Sequence, residues 1–290
     1  MKPLAHCIDR GRVRARAGYL ADFVAMDTQA VLDLMKHSAD TVIRPRFREL
    51  SESDIHEKAP GDLVTVADRE SEKVIIEVLA QEYPDALLVG EEATAADPTI
   101  LERIKTAEHA WTIDPIDGTR NFVNGDPDYA VMVGELRNGK AVRGWIWQPE
   151  HEVAHIAELG SGTYRNGVKV ERSAPTDMAA LRGATSTKLA GAGDLGIPTP
   201  QSSSGCAGVD YAWILDDRID WTAFRHDWPW DHVPGLLMIE EAGGKTGRPT
   251  GAPYDPRVRE YWIMAAASPE AFDAVAHAAQ QTIARIAADR

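Results

Sequence analysis

The sequence predicts an α/β fold, a layered α+β sandwich of helices and sheets. Three observations lead there. Helical runs near the N-terminus alternate with short apolar runs that stop at glycine or acidic residues. The middle of the chain holds several strand-like runs, and the hairpin dipeptides Asn138-Gly139 and Asn166-Gly167 mark an antiparallel meander. Beyond about Ala174 helices and strands alternate again. The expected boundary lies near residue 172, between an α+β domain (28–172) and a smaller α/β domain (173–290).

Residues 1–27 read as an extension ahead of the fold. They carry Arg10, Arg12, Arg14 and Arg16 but no apolar signal-peptide core. Helical periodicity runs from Thr28 to Leu50, with Val31, Leu32, Leu34, Met35, Val42 and Ile43 on one side. A short strand or turn precedes a helix from about Ala67 to Tyr83, which Pro84 stops. "ALLVGEE" is a strand ending at Gly90, and "HAWTIDPIDG" a second one ending at two aspartates. Strands follow at Tyr129–Leu136, Ala141–Gln148, Val153–Glu158 and Lys169–Glu171. "LRGATST" is the next strand and "IPTPQSSSG" a loop. Then come a helix over Ala207–Asp217, a strand over Trp221–Phe224 and a helix over Asp231–Ala242. "YWIMAAAS" is the last strand and Pro269–Arg290 the last helix.

Bulk properties narrow the function. The chain of 290 residues has a formal net charge of -14, which argues against nucleic acid or an acidic membrane surface as partner. No apolar run approaches the ~18–20 residues of a membrane span. Two cysteines, Cys7 and Cys206, imply no disulfide framework and a reducing, cytoplasmic home.

Four acidic clusters sit at expected strand ends or helix starts: Asp68, the pair Glu91-Glu92, the pair Asp114 and Asp117, and Asp231. Such positions are where α/β folds place ligands. Hard carboxylate oxygens suit Mg²⁺, and a cation between Asp114 and Asp117 would relieve their repulsion. Each residue also has a plainer reading. Asp231 can cap the helix that follows it. Asp114 and Asp117 can form an Asx-type turn, although the oxygen spacing of an EF-hand loop is missing. Asp68 can be a solvated residue of a first helical turn, and Glu92 ordinary surface charge. His226 and His232 lack zinc-site spacing. Trp221, Trp228 and Trp230 read as core and pocket wall. Ser202–Ser204 show no nucleophile-elbow pattern.

The successive motifs "GDLVTVAD", "GEE", "DPIDGTRNF" and "WDHVPGLLMIEEAGG" resemble, in order, those of the inositol monophosphatase family of metal-dependent, lithium-sensitive phosphatases. The resemblance covers residues 28–290 and implies an αβαβα architecture and a homodimer. It implies that Glu91, Asp114, Asp117, Asp231 and the Ile116 carbonyl ligate Mg²⁺. Gly118 and Thr119 would offer backbone N–H groups to the substrate phosphate, and Asp68 and Thr119, with Glu91 close by, would orient and deprotonate the attacking water. Two departures stand out. Val233 and Pro234 replace smaller or commoner residues after "WD", with Pro234 expected in the first helical turn, where it is harmless. Phe224 occupies the place, seven residues before Asp231, where inositol-specific members carry a glutamate that contacts the sugar hydroxyls.

The expected function is Mg²⁺-dependent hydrolysis of a small phosphate monoester. Inositol phosphate, histidinol phosphate, 3′-phosphoadenosine 5′-phosphate and fructose 1,6-bisphosphate are the candidates. The rival from another class is a non-catalytic regulator with a phosphatase fold, and it is disfavoured because every expected ligand and Thr119 are retained.

Overall fold

The computed structural model describes residues 26–185 and 198–288, with side chains to residue 281. The N-terminal extension to residue 25, the end of "LRGATST" and the last two residues lie outside the described residues.

Helix α1 (Thr28–Ser38) starts where Asp27 Oδ1 accepts a hydrogen bond from Ala30 N at 2.8 Å. The helix expected to Leu50 ends at Ser38. It widens into a π turn at Ala39–Ile43 and tightens into a 3₁₀ turn at Arg44–Arg46. Two local causes are visible. The Thr41 hydroxyl donates to the His37 carbonyl at 2.7 Å, the back-bonding that bends helices, and Pro45 has no N–H to continue the ladder. A hairpin of β1 (Ile55–Ala59) and β2 (Asp62–Thr65) leads into α2 (Val66–Glu82).

The large sheet runs in chain order: β3 (Leu87–Gly90), β4 (His109–Asp117), β5 (Ala130–Arg137), β6 (Lys140–Gln148), β7 (Val153–Glu158), β8 (Gly162–Arg165) and β9 (Val168–Lys169). β3 is parallel to β4 and every other pair is antiparallel. The short helices α3 (Glu91–Ala96) and α4 (Thr99–Arg103) join β3 to β4, and α5 (Thr119–Val123) follows β4. Both Asn-Gly dipeptides form the two-residue hairpins expected of them, with φ of +52° and +76° at Asn138-Gly139 and +47° and +80° at Asn166-Gly167. The strand expected at Lys169–Glu171 is instead the pair β8 and β9, because the second hairpin is centred on Asn166-Gly167.

The second sheet has the order β11-β10-β12-β14-β13. Its strands are β10 (Gly183–Thr185), β11 (Gln201–Ser202), β12 (Trp221–Phe224), β13 (Lys245–Gly247) and β14 (Ile263–Ala266). Helices α6 (Ala207–Leu215), α7 (Pro229–Glu241) and α8 (Pro269–Ala288) complete the chain. Strand β11 falls in the segment read as loop and β13 in one given no element, since two or three residues carry no period.

Side-chain alternation builds the layers. On β5, Val131 and Val133 face α1 and α2, while Ala130 and Met132 face α6 and α7. On β14, Ile263 and Ala265 face the α6–α7 layer, while Met264 and Ala266 face α8. The order is helices, sheet, helices, sheet, helix: the expected αβαβα sandwich.

Glycines seat α7 on the large sheet. Gly134 and Gly144 are paired across β5 and β6. A Cβ on Gly144 would lie 2.8 Å from Pro234 Cα, and one on Gly134 2.7 Å from Val233 Cγ1. The bulk of Val233 and Pro234 is thus matched by missing side chains beneath them. Pro234 is not in the first turn as expected. The helix starts at Pro229, so Pro234 falls in the second turn and removes the donor that the Trp230 carbonyl would otherwise have.

Glu135 holds the edge of the α1–α2 layer. Arg143 Nε donates to its Oε2, Arg137 Nη2 lies 2.8 Å and His109 Nε2 3.0 Å from its Oε1, and the side chain is 3% exposed. Burial alone would raise its pKa, but these three partners more than offset that and bring it from 4.5 down to about 2. A depressed carboxyl contributes stability that is present above the unfolded value and lost as pH falls through the folded one. Glu135→Gln should therefore destabilise the protein at pH 7 by on the order of 2 kcal/mol. Denaturation midpoints of variant and parent should converge between pH 4.5 and 2. A difference that stays constant over that range would show that the pairing contributes no pH-dependent stability.

Candidate active site

Asp114 and Asp117 both lie on β4, three residues apart. In a regular strand they would face opposite sides. A bulge corrects this: Asp114 pairs with Met132 but Asp117 with Ala130, so three steps on β4 match two on β5. The extra residue turns both carboxylates to one side of the sheet. Ile116 N donates to Asp114 Oδ1 at 3.0 Å and holds the first of them. Asp117 Oδ2 accepts from Gly208 N at 2.6 Å and Cys206 Sγ at 3.0 Å, tying the end of β4 to the start of α6. Gly118 then turns the chain with φ +84°, and a Cβ there would meet Cys206 Cβ at 2.9 Å.

Asp68 is the third residue of α2 and forms a capping box with Thr65. Its Oδ2 accepts from Thr65 N at 2.8 Å, while Thr65 Oγ1 accepts from Ala67 N at 3.1 Å. The other oxygen, Oδ1, faces Thr119 Oγ1 at 3.1 Å, and that hydroxyl is also 3.0 Å from the Ile116 carbonyl. Asp68 is fully buried, and burial pushes its pKa from 3.8 up to about 6. The structure thus brings together Asp68 and Thr119, which are 51 residues apart in the chain.

Glu91 opens α3 directly after β3. Lys58 Nζ, on β1, bonds Glu91 Oε1 and reaches Glu92 Oε1 at 2.8 Å. Behind them the carboxylate of Glu72 accepts from Glu92 N at 2.7 Å and Ala93 N at 2.8 Å. Asp231 is the third residue of α7, and its carboxyl is hydrogen-bonded to that of Asp114. Asp231 is only partly exposed and Asp114 is 2% exposed.

These acids repel one another. Burial raises the pKa of Asp114 well above the carboxylate range, and the charges of Glu91, Asp117 and Asp231 raise it further. Asp231 is raised in the same way by burial, then by Asp117 and Glu91. Burial lifts Glu91 to about 7, with Lys58 opposing. Lys58 remains charged because Glu91 and Glu92 outweigh its own burial.

In kind, the donors fit a hard divalent cation. Four carboxylates and the Ile116 carbonyl offer oxygen only, and the excess negative charge is what such an ion neutralises. Among the described residues no three acidic, cysteine or histidine side chains close around one point. Their present partners account for that: Lys58 draws Glu91 aside, and Asp117 Oδ2 is turned to α6. Histidine is not part of the site. His232 is 1% exposed, its Nε2–H donates to the His226 carbonyl at 2.8 Å, and its Nδ1 therefore accepts from Tyr211 Oη at 2.9 Å. Both ring nitrogens are used structurally. Two surface clefts, of about 240 and 520 Å³, lie beside Trp213 and Pro84 and include none of these acids.

Sequence reasoning missed Lys58, Glu72, Cys206 and Gly208. Glu72 did carry a signal, lying four residues after Asp68 in line with the buried Ile75 and Leu79 of α2. The other three act across the fold and leave no local trace.

The sequence profile of the inositol monophosphatase family matches residues 26–284. An inositol-1-monophosphatase of Rhizobium meliloti is 31% identical over 211 residues, covering 68% of this chain and 76% of that one. A fructose-1,6-bisphosphatase/inositol-1-monophosphatase of Thermotoga maritima is 30% identical over 196 residues, 65% of this chain and 73% of that one. Among solved structures, the extragenic suppressor protein suhB of Bartonella henselae superposes with a TM-score of 0.69 at 26% identity, over 86% of this chain and 98% of that one. The Thermotoga maritima IMPase gives a TM-score of 0.70 at 22% identity over 87% and 97%, a likeness of fold alone. With the layered fold and the ordered motifs, these matches show that the chain belongs to the inositol monophosphatase family of phosphoric monoester hydrolases.

Proposed function

We propose that this chain hydrolyses a small phosphate monoester with Mg²⁺ by direct in-line attack of water. The observation that carries the reading is the Asp68–Thr119–Ile116 contact, set beside the four carboxylates that the β4 bulge, α3 and α7 contribute. Glu91, Asp114, Asp117, Asp231 and the Ile116 carbonyl would hold the ion. When bound, Mg²⁺ supplies Lewis-acid stabilisation of the phosphoryl oxygens. Thr119 Oγ donates to Asp68 Oδ1, leaving its lone pairs to accept from a water; the proton lost by that water passes toward the buried Asp68 carboxylate. The water oxygen bonds to phosphorus as the bond to the leaving oxygen breaks. The turn at Gly118–Thr119 presents backbone N–H groups of the kind that bind a phosphate, and the Gly118 N–H is bonded to the Asp117 carboxylate.

Phe224 supports a substrate other than an inositol phosphate. Its half-buried ring packs 5.2 Å from Tyr211 and 4.9 Å from His232, offering carbon where a sugar hydroxyl needs an acceptor. The change of sheet between Lys169 and Gly183 supports a division of the chain near residue 172. Resemblance supports a homodimer. The low cysteine count supports a cytoplasmic home, and among the described residues no helix is long and apolar enough to cross a membrane.

Three outcomes test the proposal. EDTA should abolish phosphate release, Mg²⁺ should restore it and Li⁺ should inhibit it; full turnover in metal-free buffer would sink the mechanism. Asp114→Asn should lower kcat/KM by more than ~100-fold, since changes one shell further out already cost ~10–100-fold. Its melting temperature should hold or rise, because the substitution removes like-charge repulsion; near-normal turnover would make Asp114 a structural residue. Finally, kcat/KM should be compared for inositol 1-phosphate, histidinol phosphate, 3′-phosphoadenosine 5′-phosphate and fructose 1,6-bisphosphate. The protein should show no strong preference for inositol phosphate, and Phe224→Glu should shift the ratio toward it. A clear preference in the unaltered protein would remove Phe224 from the argument.

A further inference from the structure

Glu72 is 4% exposed and carries no part of the chemistry described above. Burying a carboxylate is costly unless it is hydrogen-bonded, and both its oxygens are. Oε2 accepts from Glu92 N at 2.7 Å and Oε1 from Ala93 N at 2.8 Å, the two amides that follow Glu91. Gly90, just before Glu91, is shaped to admit this carboxylate. A Cβ there would lie 2.5 Å from Glu72 Oε2 and Cδ. The φ of Gly90 is -86°, which any residue adopts, so glycine is needed there for space and not for backbone conformation.

We infer that Glu72 is a positioning residue for metal binding: clamped on the two amides after Glu91, it fixes the direction in which Glu91 enters the acidic cluster. The inference rests on the reading of Glu91 as a Mg²⁺ ligand. A cap serving fold stability alone is a weaker account, because α3 has six residues and buries only Thr94. What the clamp orders is the chain carrying Glu91. The same inward stripe of α2 presents Asp68 one turn earlier, bonded to Thr119, so one helix face sets both the base and the ligand segment.

The test is calorimetric titration of Mg²⁺ into the unaltered protein, Glu72→Gln, Gly90→Ala and the double variant, with thermal melts alongside. Glu72→Gln keeps shape but sets an amide NH₂ against a backbone donor. Gly90→Ala removes no polar group but displaces the Glu72 carboxylate. Each single variant should bind Mg²⁺ ~10–100-fold more weakly, with the melting temperature changed by a few degrees at most. Adding Gly90→Ala to Glu72→Gln should cost little more, because both act through one clamp. Parental affinity in a folded Glu72→Gln would overturn the inference. If that variant does not fold, parental affinity in Gly90→Ala decides against it equally. If the unaltered protein binds no Mg²⁺, the metal reading itself falls and this inference with it, whereas equal binding by parent and variants removes only the inference.

Discussion

Repulsion among Glu91, Asp114, Asp117 and Asp231 is the interaction that most of the structure is arranged to tolerate. Such a group cannot be assembled from one element, since no regular strand or helix turn brings four carboxylates into one neighbourhood. The chain collects them from a strand end, a strand bulge and two helix starts. Each is then restrained by a local donor: Lys58 for Glu91, Ile116 N for Asp114, Gly208 N for Asp117. Asp231 gains additionally from its place in the first turn of α7, where the helix dipole favours negative charge.

The α6–α7 layer makes the arrangement rigid. It packs on both sheets, so the position of Asp231 is set by the contact between α7 and the Gly134–Gly144 pair rather than by the second sheet alone. Tyr211 of α6 lies against Gly235 of α7, where a Cβ would meet its ring at 2.1 Å. Interiors at this density resist displacement. A small shift of α7 would move Asp231 against Asp114, and so the dense glycine contacts serve the site as much as the core.

Much of this was legible in the chain. The meander followed from Asn-Gly dipeptides that only one turn type suits, and β12 was bounded correctly by its apolar run between charged segments. The acids were legible because each sits at the end of a periodic run. What escaped was of three kinds. Strands β11 and β13 are too short to show a period. The break of α1 after Ser38 depends on the Thr41 side chain competing for a backbone carbonyl, which periodicity ignores. Lys58, Cys206 and Gly208 meet the site only through the fold: Gly208 is 91 residues from the aspartate it holds. The β4 bulge belongs here too. Two aspartates three apart looked like a turn, and only the register against β5 shows a strand that slips by one to keep both on one face.

A net charge of -14 is an odd background for a site that takes a phosphate. Screening resolves much of it, because at physiological salt charges more than ~8 Å away are largely silent. What an approaching phosphate meets is therefore local. Lys58 lies at the rim of the cluster, 16% exposed and pinned between Glu91 and Glu92. On the proposed reading, Glu91, Asp114, Asp117 and Asp231, which add to that unfavourable charge, would hold a divalent cation where the phosphate sits. An acidic protein can thus bind an anion by way of a metal, and its remaining surface charge bears on solubility more than on catalysis.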